Sequence, residues 1–130
     1  MILKRVKYLM KQFANKDFRQ SYVDTHTRGF LASQVRALRG GMSQKEFAKK
    51  LGTTQSVVSR YENPGYGSVT LNTLLAIAFK LDIALVVRFA DYPDFLRVST
   101  LVSEEALTPE EYKDSDFGVL YSDKWSKIDD

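Results

Sequence analysis

The chain has 130 residues, enough for one domain with extensions, and its 44% hydrophobic content is that of a globular protein rather than a disordered one. It contains no cysteine, which excludes disulfides and thiolate metal sites and suits a reducing cytoplasm. Charge is divided along its length: residues 1–60 carry 13 Lys/Arg against 3 Asp/Glu and residues 61–130 carry 6 against 13, so the front half suits a polyanion and the rear half does not.

Residues 1–16 form a basic amphipathic stretch with Val6, Leu9, Met10 and Phe13 at helical spacing. Lysines interrupt it, and no continuous apolar run follows Lys4, Arg5 and Lys7, so neither a signal peptide nor a membrane span is expected. The longest apolar run, around LLAIAF, is also too short to cross a bilayer, and a cytoplasmic protein is the expectation. Asp17 can begin a second helix, in which Phe18 and Tyr22 fall at i, i+4 and Leu31, Val35 and Leu38 carry the stripe on to Arg39. Gly29 is a candidate break or kink in that stretch, and Gly40-Gly41 ends it.

Two shorter helices come next. Ser43, with Glu46 three residues on, reads as a capping box for the first, and Gly52 closes it. Thr54 caps the second, and Asn63-Pro64-Gly65 stops it. The loop NPGYGSV leads to Thr70, the predicted cap of the helix LNTLLAIAFKL. Residues 83–90 (IALVVRFA) are short and rich in β-branched side chains, which predicts a strand. Residues 95–102 (FLRVSTLV) are expected to return as its hairpin partner through DYPD, unless the first strand pairs with its copy in a second subunit. Thereafter the chain turns acidic, with Thr108 and Pro109 opening a possible short helix (TPEEYK) and no clear period beyond it. The expected divisions are a basic helical extension (1–30), a helical core (31–82), a strand or hairpin that can serve dimerisation (83–102) and an acidic tail (103–130).

Residues 43–63 (SQKEFAKKLGTTQSVVSRYEN) meet the demands of two helices crossing at a sharp turn. Gly52 accepts the left-handed turn conformation, Ala48 is small where the helices touch, and Phe47, Leu51, Val58 and Tyr61 have the spacing of core residues. Gln55, Ser56, Ser59 and Arg60 are needed for neither turn nor core. They carry the donors and acceptors of base readers, since Gln can bond adenine bidentately and Arg can bond guanine or a phosphate. Thr54 and Val57 can offer methyl groups to thymine, and no acidic residue occurs from position 54 to 61.

The stretch MSQKEFAKKLGTTQSVVSRYEN resembles the DNA-binding core of the Xre, or Cro/CI-type, helix-turn-helix family. The matching residues are Ser43-Gln44, Ala48, Leu51-Gly52, Thr54-Gln55, Val58-Ser59 and Tyr61-Glu62-Asn63, and TLNTLLAIAFKLDI resembles the family's fourth helix. The likeness covers about residues 31–83 and implies a mainly α, lambda-repressor-like fold. By position it implies base-facing roles for Thr54, Gln55, Ser56, Val57, Ser59 and Arg60. It implies phosphate contacts for Ser43, Gln44, Lys45, Asn63, Tyr66 and Ser68, and a structural Glu62 paired with Arg39. The link LRGGMSQ is shorter than in many members. The implied function is a sequence-specific double-stranded DNA-binding regulator, a repressor acting as a homodimer on a two-fold operator. The alternatives are an antitoxin that represses its own operon and holds a toxin through its extensions, and a protein-interaction scaffold without DNA binding.

Other features carry less. Lys4, Arg5, Lys7, Lys11, Lys16 and Arg19 make either an arm gripping DNA or a solvated helix face. His26 is the sole histidine, and nothing is spaced to complete a metal site around it. GYG follows a helix and lacks a lysine partner, so it is a loop rather than a phosphate cradle. Glu104-Glu105 and Glu110-Glu111 lie in polar surroundings unsuited to tuning a catalytic acid. No enzyme activity, metal or cofactor is expected.

Overall fold

The computed structural model describes residues 2–67, 69–100 and 108–113. Among these, six helices follow one another: α1 (Ile2–Gln12), α2 (Lys16–Arg39), α3 (Gln44–Leu51), α4 (Gln55–Tyr61), α5 (Leu71–Leu81) and α6 (Tyr92–Thr100). The expected mainly α architecture is present, and no described residue lies in a β-strand.

Asn15 opens α2: its side-chain oxygen accepts the Phe18 N–H at 3.1 Å, and Asp17 falls in the first turn. The helix then runs 24 residues, about 36 Å. It passes through Gly29 as one helix, so the candidate break there does not occur. An isolated glycine costs a helix about 1 kcal/mol, and α2 is held on both sides of it. Asp24 and Arg28 pair at 3.1 Å before the glycine, while Ala32 and Val35 are buried after it.

The second half of α2 packs with α3, α4 and α5 around Val35, Phe47, Ala48, Leu51, Val58 and Ile77, bordered by Leu38, Met42, Tyr61 and Leu81. The three predicted N-caps of this part are present. Ser43 Oγ accepts the Glu46 N–H at 3.1 Å, Thr54 Oγ1 accepts from Val57 at 3.4 Å, and Thr70 Oγ1 accepts from Thr73 at 3.2 Å. Gly52 ends α3 in the left-handed region (φ 73°, ψ 32°), and Thr53 N–H reaches back to the Ala48 carbonyl at 2.9 Å. The two helix glycines should therefore respond oppositely to alanine. Gly52→Ala should destabilise by about 1 kcal/mol because a Cβ disfavours positive φ. Gly29→Ala meets nothing within 4 Å and should stabilise by roughly 0.5–1 kcal/mol. Urea denaturation of the two variants checks the signs.

A second cluster ties the turn after α1 and the first half of α2 to α6. Phe13 stacks edge-on against Tyr22 and Tyr92, with ring centroids 5.1 and 5.7 Å apart, and Tyr22 meets Phe95 at 6.4 Å. Arg19 Nη1 donates to the Phe13 carbonyl at 3.1 Å, and the guanidinium lies over the Tyr92 ring. Arg19 is thus engaged inside the fold, whereas Lys4, Arg5, Lys7, Lys11 and Lys16 are exposed.

The expected hairpin is corrected here. Residues 83–90 are in no strand, and most of the intended second strand belongs to α6. Residues 101–102 of that strand lie outside the described residues. The apparent turn DYPD is a helix start: Asp91 Oδ1 accepts the Asp94 N–H at 2.9 Å, and the Asp91 carbonyl accepts from Phe95 at 3.0 Å. Pro93 sits in the first turn, where its missing N–H is not needed. Arg88, 2.8 Å from Asp94, holds that carboxyl below its usual range, with Arg97 adding to the effect. The possible helix in TPEEYK is corrected too. Residues 108–113 are not helical, and Tyr112 N–H instead donates to the Asp82 carbonyl at 3.0 Å. The remainder of the expected acidic tail, residues 103–107 and 114–130, lies outside the described residues.

Candidate nucleic-acid interface

The packing of α4 decides which of its side chains face outward. Val58 is fully buried and Tyr61 packs on the core, which fixes the helix about its axis. Gln55, Ser56, Ser59 and Arg60 lie at i, i+1, i+4 and i+5, and all four are exposed. Thr54 is exposed with its hydroxyl oxygen engaged as the helix cap, and Val57 is half-buried. The base-facing residues expected from the sequence therefore divide into an exposed polar row of four, an exposed cap and a partly covered valine.

The expected phosphate-facing residues come from both ends of the helix pair. Ser43 and Lys45 are exposed at the start of α3, and Gln44 is half-buried between them. After α4, Asn63 and Tyr66 are exposed. Asn63 Oδ1 accepts the Gly65 N–H at 2.9 Å, an Asx turn that shapes the loop. The Arg60 guanidinium lies 5.7 Å from the Tyr66 ring centroid, a cation–π contact that links α4 to this loop. Ser68 lies outside the described residues.

Behind this surface, α4 is pinned to α2 by a charged pair. Arg39 donates from Nε to both carboxylate oxygens of Glu62, at 3.2 and 3.0 Å, and from Nη2 to Oε1 at 3.0 Å. Its remaining Nη1 donates to the Met42 carbonyl at 2.9 Å. The short link after Arg39 thus permits the expected pairing and becomes part of it. The Glu62 side chain is 7% exposed and that of Arg39 19%, so the pair is structural rather than available to a ligand.

One basic residue near this surface is not among the site residues expected from the sequence. Arg28, at the middle of α2, approaches Gly67 in the loop after α4. Among the described residues no group of three His, Asp or Glu side chains converges to hold a metal ion.

Residues 34–86 match the family model of the helix-turn-helix domains. This segment is a Cro/CI-type helix-turn-helix domain. Its match begins in the last quarter of α2 and ends just after α5, so α1, α2 up to residue 33 and α6 lie outside the matched helix-turn-helix domain. No curated protein and no solved structure matches the chain. A helix-turn-helix domain of this type is the DNA-binding unit of transcriptional regulators and acts on double-stranded DNA. Among the described residues no helix is long and apolar enough to cross a membrane.

Proposed function

We propose that the chain is a sequence-specific transcriptional regulator that represses by occupying an operator as a homodimer. The observation that carries this reading is the exposed row Gln55, Ser56, Ser59 and Arg60, on a helix whose opposite face is closed by Val58 and Tyr61. In this reading α4 enters the major groove. Gln55 and Ser56 meet base edges first, Ser59 and Arg60 follow one turn along, and Thr54 and Val57 offer methyl groups to thymine. Ser43, Gln44 and Lys45 meet backbone phosphates at the start of α3, where the helix dipole favours anions, and Asn63 and Tyr66 do so after α4. No step of this function is catalytic.

Size supports the dimer. The seven residues of α4 extend about 10 Å, room for roughly three base pairs at about 3.4 Å each. Two copies related by a two-fold axis read twice as much, with half-sites about 34 Å apart. Val86, Val87 and Phe89, exposed after the last helix of the domain, are the apolar surface we assign to that contact.

Gln55→Ala tests the role of the row. The variant should lose about 1–3 kcal/mol of discrimination at one base position while keeping its nonspecific affinity. Competition binding with single-base operator variants measures this, and an equal loss on every sequence would remove Gln55 from the base-reading set.

A further inference from the structure

α2 extends well before the start of the family match, and its added part returns to the proposed DNA surface. A Cβ built on Gly67 would lie 3.5 Å from Arg28 Nη1, so the guanidinium rests against the loop that follows α4. Arg28 Nε donates to Asp24 Oδ1 at 3.1 Å, one helical turn earlier. That bond orients the planar fork while leaving the two Nη nitrogens as donors, and the Arg28 side chain is 46% exposed. At the adjacent loop position, Arg60 from α4 covers the ring of Tyr66. Two guanidinium groups from separate helices thus meet consecutive residues of one loop.

We propose that Arg28 is a DNA-phosphate ligand, which forms with Arg60 and the loop at residues 63–67 a backbone seat beside the groove that α4 enters. The inference rests on the reading of α4 as the DNA-reading helix. A phosphodiester suits the site because a guanidinium fork presents paired donors to paired anionic oxygens. Base readout does not, because Arg28 is not on the helix that enters the groove. An exposed Arg–Asp pair by itself contributes little to stability, so the role of Asp24 in this arrangement is to aim the fork. The cost of Asp24 is one negative charge near the bound phosphate.

The experiment measures affinity for a random-sequence DNA duplex as a function of salt, using the full chain and three variants. Loss of one phosphate contact should lower the slope of log affinity against log salt by about 0.9. For Arg28→Ala the deficit relative to the unaltered chain should therefore shrink about 3.5-fold between 50 and 200 mM salt. Arg28→Lys, which keeps the charge, should restore most of the slope. Asp24→Asn, which keeps an acceptor for Nε and removes the negative charge, should bind every duplex at least as tightly as the unaltered chain. Coincident thermal melting of Arg28→Ala and the unaltered chain separates lost contact from lost fold. Salt-sensitive binding by the unaltered chain with an unchanged slope in Arg28→Ala overturns the Arg28 seat and leaves the DNA reading standing. Absence of salt-sensitive binding by the unaltered chain overturns both.

Discussion

Phe47→Ala should cost the protein about 3–5 kcal/mol, a large share of the stability of a domain this small. Phe47 is fully buried, and it sits on α3 where the core contributions of α2, α4 and α5 meet. Truncating it removes the transfer free energy of the ring and leaves a cavity that Val35, Val58 and Ile77 cannot close without moving their helices. Urea denaturation should show a much lower midpoint. DNA binding should fall in proportion to the unfolded fraction, because α4 is held in place by the same core. A midpoint shift equivalent to less than about 1 kcal/mol would mean that the core is looser than the packing indicates.

Arg39→Ala should be nearly as damaging, by about 3 kcal/mol, because it leaves the Glu62 carboxylate buried without its partner. Glu62 accepts three hydrogen bonds from that one guanidinium and keeps 7% exposure. Partial access of water to Arg39 places the cost at the lower end of what breaking a buried pair produces. Glu62→Ala should cost less, since Arg39 retains its bond to the Met42 carbonyl and a path to solvent. Replacing both residues with apolar side chains should recover much of the loss, so a double-mutant cycle should give a strongly non-additive result. Additive losses would mean that the pair does not act as a unit.

The parts of the fold that were legible in the sequence are those governed by neighbours in sequence. Ser43, Thr54 and Thr70 cap helices because their oxygens reach an N–H three residues on, and Gly52 turns because it lacks a Cβ. The exposed row of α4 was legible for a related reason: once Val58 and Tyr61 are assigned to the core, a 3.6-residue period leaves Gln55, Ser56, Ser59 and Arg60 on the other face. Where distant contacts decide, the sequence was ambiguous. Asp91 and Pro93 suit a turn as well as a helix start, and α6 forms where Tyr92 and Phe95 find Phe13 and Tyr22 at the other end of the chain. Gly29 has poor helix propensity, yet packing on the C-terminal side of α2 outweighs it. The approach of Arg28 to Gly67 joins the middle of α2 to the loop after α4 through the fold, and no local pattern encodes such a contact.

If α4 reads base sequence in duplex DNA, selection of bound sites from a random duplex pool should reveal it. The selected pool should yield an enriched, two-fold symmetric motif with half-sites about one helical turn apart, occupied by two copies of the chain. It should be bound at least about a thousandfold more tightly than random duplex at physiological salt, with a preference that changes in Gln55→Ala. A pool that emerges unenriched, or a chain that holds all duplexes with one affinity, would contradict it.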